Sequence, residues 1–453
     1  MAAVAVLAVP GTPAAQPPTP TQPGPAQPAP VPAPTTPGAP TPTPPTKEKE
    51  EPTPRPEIAI PQERVPETLL PTRVPGLIGP DLFNAPPHQG FITLTPSFTL
   101  GGEYNDNVFF DSGNRHSDGI FTFSPGATLS LQREGFRLAT GITTAGQVFV
   151  DDSSQNGFGK SLQFVGDLFY QLAPRWTFTF NDNFVYDRNS NTLTSGGVSV
   201  GFEQALRNTA TAALRWQATP NTGVDFLGSQ TLVRFPGGVS QGSDAENSDT
   251  YRVGVGVDHR LTQRLTGGFN LGVAYIDIEN EKSAWTFTPA LTAAYDITPT
   301  LKGFVSGGPI IVERGGDTSL EPSIGVGLEQ TFKFGVARIG YDRAVTAETI
   351  GLTDRQAVFG SLELTTLLRG LRLEFTPRYA IADTDISGSR SGTKETLKTL
   401  TLNLNATYQI ARSISLIGSY TFFRQTSDRS GVGDVDQNRV FFGIQYAYPI
   451  VIY

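Results

Sequence analysis

The chain has 453 residues, no cysteine and a formal net charge of −8, with a pI near 5.1. Without cysteine there is no disulfide framework and no thiol or thiolate-metal chemistry, and an acidic chain with no basic stripe does not suit the phosphates of nucleic acid. The length suggests about three domains at roughly 150 residues each, but a β-barrel exceeds that size as one closed unit.

The longest purely apolar run is Met1 to Val9, short of the roughly 20 residues a membrane-spanning helix needs. With the small residues around Thr12-Pro13-Ala14-Ala15 it reads as the core and cleavage zone of a secretory signal over residues 1–16. The basic start of such a signal is missing, because the first Lys or Arg is Lys47. A signal truncated at its charged end is expected; the alternative is the head of a disordered tail. Twenty-six of the thirty-seven prolines lie at or before Pro87, which excludes a helix or a central strand from residues 17–80. That segment is expected to be a disordered tail, either an inert spacer or an arm that recruits periplasmic partners.

From Phe91 onward one unit repeats about nine times: a polar-apolar alternating run, a tight turn, a second run and a longer loop rich in Gly, Asp and Ser. Eighteen strands are expected within residues 88–453, starting near Phe91, Ile120, Phe136, Ser161, Trp176, Asn208, Gly223, Thr250, Leu265, Ala284, Leu301, Ser323, Phe334, Gln356, Leu371, Thr396, Ile414 and Asn438. Every second connection is short, as in Glu134-Gly135, Thr219-Pro220-Asn221 and Arg369-Gly370, and uses the residues that fix tight-turn φ angles. The others run longer, as in Asp151 to Lys160 and Asp383 to Glu395. An even strand count with short turns at one end puts both termini at that end, which in bacterial barrels is the periplasm.

Alternation alone does not separate a soluble sandwich from a transmembrane barrel. Run length does, because these runs have about 10 to 14 residues where soluble strands usually have five or six. Residue sorting agrees. Leu371, Leu373, Phe375, Tyr379 and Ile381 share one face of their strand, and Arg372, Glu374, Thr376 and Arg378 share the other. Lys or Arg facing lipid at the midplane costs roughly 2 to 4 kcal/mol, so the charged parity must face the lumen. The expected pore lining therefore includes Arg215, Arg252, Asp258, Arg260, Lys333, Arg338, Asp342, Arg372, Glu374, Arg378 and Arg439. Both signs are present, and a lining of one sign, which would predict ion selectivity, is not. Asp182, Gln230 and Gln330 fall on the apolar parity, which implies either a place above the hydrocarbon or a β-bulge.

The last strand, with Gly443 followed by Tyr446 and Tyr448, resembles the assembly signal of bacterial outer-membrane barrels, although it runs on through Pro449 to Tyr453 and carries Phe441 where a polar residue is usual. The resemblance implies recognition by the barrel assembly machinery through Gly443, Tyr446 and Tyr448. Near the start, Thr95-Pro96-Ser97, Glu103-Tyr104-Asn105-Asp106-Asn107-Val108-Phe109, Ser117-Asp118-Gly119-Ile120 and Ser124-Pro125-Gly126 occur in an order that resembles the β-barrel porin 2 family of Gram-negative outer membranes. It implies an outer-membrane barrel, with exopolysaccharide export in some relatives, and brings no catalytic residues.

Enzyme chemistry finds little support. The three histidines are His88 in the entry linker, His116 in the first long loop and His259 beside a tight turn. One His with loosely spaced acids is a poor metal set, and no helix follows the Gly254-Val255-Gly256 or Gly325-Val326-Gly327 pairs to make a phosphate loop. Neither a cofactor nor a metal is expected. Barrels of 16 to 18 strands leave an aqueous channel unless a loop folds inward, and Asp187 to Arg207 is the candidate to do so. The expected function is a channel for hydrophilic solutes or an exported polysaccharide, with inward Phe169, Phe304 and Phe359 available to stack on sugar rings. The alternative is a plugged structural anchor or assembly factor whose tail binds periplasmic partners.

Overall fold

The computed structural model describes residues 92–452 except 188–203, 237–246, 280, 349–350, 366, 385–394 and 429–432. The expected signal segment 1–16, the tail 17–80 and most of the proposed inward loop lie outside the described residues.

The strands run β1 (Ile92–Asn105), β2 (Asp118–Arg133), β3 (Phe136–Phe149), β4 (Gly157–Ala173), β5 (Trp176–Asp187) and β6 (Ala205–Thr219). They continue as β7 (Thr222–Arg234), β8 (Ser248–Arg260), β9 (Leu265–Ile278), β10 (Ala284–Asp296), β11 (Leu301–Arg314) and β12 (Asp317–Phe332). Last come β13 (Gly335–Glu348), β14 (Gly351–Leu364), β15 (Leu371–Thr384), β16 (Glu395–Ala411), β17 (Ile414–Ser427), β18 (Val435–Ala447) and a three-residue β19 (Ile450–Ile452). Each long strand pairs antiparallel with its chain neighbours, and β1 pairs with β18, so eighteen strands close into a barrel. β19 extends the last strand past Pro449 and pairs with the start of β1.

Tight turns gather at one end of the barrel, where Gly135 and Gly370 take φ of +67° and +82°, a region open to glycine and strained for other residues. The opposite end departs from the expected long loops at two places. β11 and β12 stay paired up to Arg314↔Asp317, joined by Gly315-Gly316 with both φ positive, the condition of a two-residue type I′ hairpin. β13 and β14 are paired up to Glu348↔Gly351.

The outside of the cylinder is apolar. Tyr251, Val253, Val255 and Val257 of β8 are exposed while Asp258 between them and the turn is buried. Leu400, Leu402, Leu404 and Tyr408 share the outward parity of β16. Aromatics mark both rims: Trp176 stacks on Trp216 near the turn end at 5.6 Å, and Tyr275 packs on Trp285 near the loop end at 5.0 Å. Surface of this kind is placed where hydrocarbon, not water, wets it, with aromatic girdles at the two interfaces.

Candidate functional site: the barrel lumen

Register fixes which side chains line the interior, because directly paired residues share a face. Arg215 of β6 reaches across two strands, bonding Asp225 of β7 at 2.9 Å and Asp258 of β8 at 3.1 Å. Gly223 lies beneath this bridge, and a Cβ there would stand 2.4 Å from the Arg215 guanidinium and 2.5 Å from Asp258 Oδ1. Farther round the wall the pairs are Arg338 with Glu329 at 2.7 Å, Arg355 with Asp342 at 2.6 Å and Arg372 with Glu363 at 2.9 Å. Arg439 closes the circle on Glu103. Arg252, Glu374 and Arg378 share the inward parity, facing Ala274, Asn405 and Thr401, and Arg260 ends β8 at the turn side. Lys333 is placed otherwise: it sits exposed in the turn after β12, off the strand wall.

Inward phenylalanines plaster the wall. Phe304 lies opposite Gly327 and Phe359 opposite Gly340, each ring within 2.5 Å of where the glycine's Cβ would be. Phe441 covers Gly101 in the same way, which explains why an aromatic occupies that inward position of the last strand. Phe169 carries the Arg137 guanidinium over its ring at 5.1 Å. One face of each ring is thus already used.

At the loop end the inward parity changes from charged to apolar. Ile276 and Ile278 of β9, Ala284 of β10 and Ile310 and Val312 of β11 are buried together, with Val345 of β13 packed against them. Pairing of β13 with β12 stops at Ile324↔Arg343, seven residues before β12 stops pairing with β11 at Asp317. Above that point the β13–β14 hairpin leaves the wall and leans inward, and β13 comes into contact with β8. Val185, Ala205, Val233 and Phe235 form a second buried apolar group, and Ala382 with Leu397 a third. The sequence signal that could have found this collar is Ile310-Ile311-Val312, which is apolar on both parities. Among the described residues, inward side chains such as Arg215 and Arg338 are thus partly exposed, while those of the collar toward the loops are buried.

The loop between β1 and β2 clasps the closing seam. The Asn107 side chain, fully buried, donates to the carbonyls of Asp111 and Asp436 at 2.9 and 3.0 Å. The Asn107 backbone carbonyl accepts from Gln437 Nε2 at 2.7 Å. The Asp106 carboxylate accepts from the backbone and side-chain nitrogens of Asn438 at 2.6 and 2.7 Å. Arg115 pairs with Asp436, and Phe110 packs on Phe423. Asp111 accepts from the backbone N–H groups of Gly113 and Asn114, which holds its carboxyl below the usual aspartate range. Asp118, also buried, accepts from the backbone nitrogens of Val150, Asp151 and Asp152. The motif residues of the first hairpin are thus parts of a fastening.

His116 stacks beside Phe109 in this loop, and His259 Nδ1 meets the Thr222 hydroxyl at 2.9 Å on the outer rim. No group of three metal-binding side chains occurs among the described residues.

No protein-family model matches the chain, so the resemblance of the first hairpin stands on its residues alone. No curated protein matches either. Solved barrels of similar shape include Pseudomonas aeruginosa OpdQ, 9% identical over 80% of this chain and 99% of that one, TM-score 0.43. Acinetobacter baumannii OccAB4 is 12% identical over 79% and 98%, TM-score 0.42. Pseudomonas aeruginosa OccK2 (OpdF), solved in complex with glucuronate, is 10% identical over 80% and 98%, TM-score 0.43. Likeness at that level says nothing of what this chain carries.

Proposed function

We propose that the protein is an outer-membrane channel for small hydrophilic solutes, with the turns and both termini on the periplasmic side. The carrying observation is the inside-out sorting: an apolar outer wall around an inner wall of cross-strand ion pairs such as Arg215 with Asp225 and Asp258. Arg215, Arg252, Asp258, Arg260, Arg338, Asp342, Arg372, Glu374, Arg378 and Arg439 then line the path, and mutual pairing makes it weakly selective by charge. The β13–β14 hairpin and the apolar collar act as the constriction. Reconstitution into planar bilayers tests this: discrete ion steps are expected, and silence at all voltages overturns it.

An exported polysaccharide is the second cargo class; sugar stacking has only the free faces of Phe169, Phe304 and Phe359 to use. The packed loop end favours one rival, an envelope anchor with a permanently closed barrel. Deleting residues 17–80 separates them, since a channel keeps its conductance and an anchor loses its function with the barrel intact. Gly443, Tyr446 and Tyr448 fit delivery by the barrel assembly machinery, with both tyrosines exposed on the outside.

A further inference from the structure

The upper β13–β14 hairpin meets the collar with the face that lower down meets lipid. Ile339, exposed on the outer wall, and Tyr341 set the odd-numbered residues of β13 outward, because strand residues two apart share a face. Val345 has that same parity, yet it packs against the buried collar that contains Ile310 and Val312 of the inner wall. Arg343, again of the outward parity, reaches Glu321 of the inward parity of β12 at 3.6 Å. Both contacts require the upper hairpin to stand inside the β11–β12 wall instead of in line with it.

Pro322 explains where the wall parts. It lies directly opposite Pro309 of β11, and two prolines can share only the pair type that exchanges no N–H···O bonds. The backbone of Pro322 therefore points toward β13, where it has no N–H to give, and β12–β13 pairing ends two residues nearer the turns, at Ile324↔Arg343. A repeated Asp-Arg dipeptide staples the root of the hairpin on both faces: Arg343 bonds Asp354 at 2.7 Å, and Arg355 bonds Asp342 at 2.6 Å. A stapled hairpin beside a line of missing hydrogen bonds has the make-up of a rigid flap on a hinge.

The wall offers the flap a second position. Continued in the register of Ile324↔Arg343, β12 and β13 would bring Ser323 opposite Ala344 and Pro322 opposite Val345. Val345 would then face out between Leu320 and Ile324, which are 69% and 44% exposed. An apolar side chain suits either place, whereas Arg343 and Glu321, of opposite parity, meet only in the inner one. We propose that the hairpin is a two-position gate, swinging as one body between the lumen, where it narrows the path, and the wall, where Val345 turns to the outer surface and the path widens. Its role as a gate rests on the channel reading; the movement itself does not.

Because the chain has no cysteine, introduced pairs report each position separately. Val345→Cys with Ile310→Cys tests the inner position, and Val345→Cys with Leu320→Cys tests the outer one, where the two would be diagonal neighbours about 7 to 8 Å apart. With a short bis-maleimide in isolated membranes, mass spectrometry is expected to find both bridges. Adding Glu321→Gln, which frees Arg343, should raise the outer bridge several-fold. In planar bilayers the inner bridge should hold the low conductance level and the outer bridge the high one. The gate is overturned if either pair fails to bridge in a barrel that stays heat-modifiable on gels, if Glu321→Gln leaves the outer yield unchanged, or if conductance still switches with the inner bridge in place. Both bridges in a barrel that carries no current in either position would instead refute the channel reading and leave the movement standing.

Discussion

Glu103 and Arg439, 336 positions apart in the chain, form a two-pronged ion pair across the barrel's closing seam, with Nε on Oε1 at 2.9 Å and Nη2 on Oε2 at 3.0 Å. Both side chains are buried. Removing one partner from a buried pair costs about 3 to 5 kcal/mol, while replacing both by apolar groups is close to neutral. Glu103→Ala should therefore lower the urea midpoint sharply, read from Trp176, Trp216 and Trp285 fluorescence in detergent. A Glu103→Met/Arg439→Met double variant should regain most of the loss. Equal destabilisation in both would mean that the pair does not hold the seam.

The clasp above that seam has its own pH signature. Asp111, held below the ordinary aspartate range by two backbone N–H groups, favours the ordered loop while ionised. A depressed folded value gives stability that is present above the unfolded value near 4 and is lost as pH falls through the lower folded one. Amide exchange at Gly113 and Asn114 should therefore stay slow down to mildly acidic pH and quicken only below the unfolded value. Asp111→Asn should flatten that dependence.

The inward lean of the β13–β14 hairpin rests on apolar contact of Val345 with Ile276, Ile310 and Val312. Val345→Asp would bury a carboxylate against those side chains, which is unfavourable enough to release the hairpin. Single-channel conductance should rise several-fold and become noisier, with the barrel still folded. Unchanged conductance would place the constriction elsewhere.

Most of the barrel was legible in alternation, because one parity had to meet lipid. Leu265, Ala284, Leu301, Leu371 and Ile414 begin strands where the pattern begins, and closure into eighteen strands follows from the even count. What stayed hidden depends on pairing between distant segments. The Glu103–Arg439 contact appears only when β18 meets β1 in register, and Asp106 and Asn107 had no visible partners until Asn438 and Gln437 came beside them. Gly315-Gly316 was hidden differently. Polar residues Asp317 to Ser319 looked like loop, yet the hairpin carries them past the membrane, where strands need no apolar face. Lys333 was misjudged by position, since a turn residue two steps beyond an inward parity still counts as inward on paper.

Arg215 gives the most direct test of the lumen. It neutralises two carboxylates at once, Asp225 and Asp258, so Arg215→Leu leaves two negative groups on a partly exposed wall and removes one positive charge. The reversal potential in a salt gradient should move toward cation preference, and raising ionic strength should shrink the shift by screening. Gly223→Val tests the placement of the arginine without changing charge. Its side chain would occupy the space of the guanidinium and of Asp258 Oδ1, driving the bridge apart while all three ionic groups remain. If the net charge of the three groups sets the local field, Gly223→Val should alter conductance while leaving net preference close to wild type. A cation shift as large as that of Arg215→Leu would show instead that placement of the arginine, and not its charge alone, screens the two aspartates.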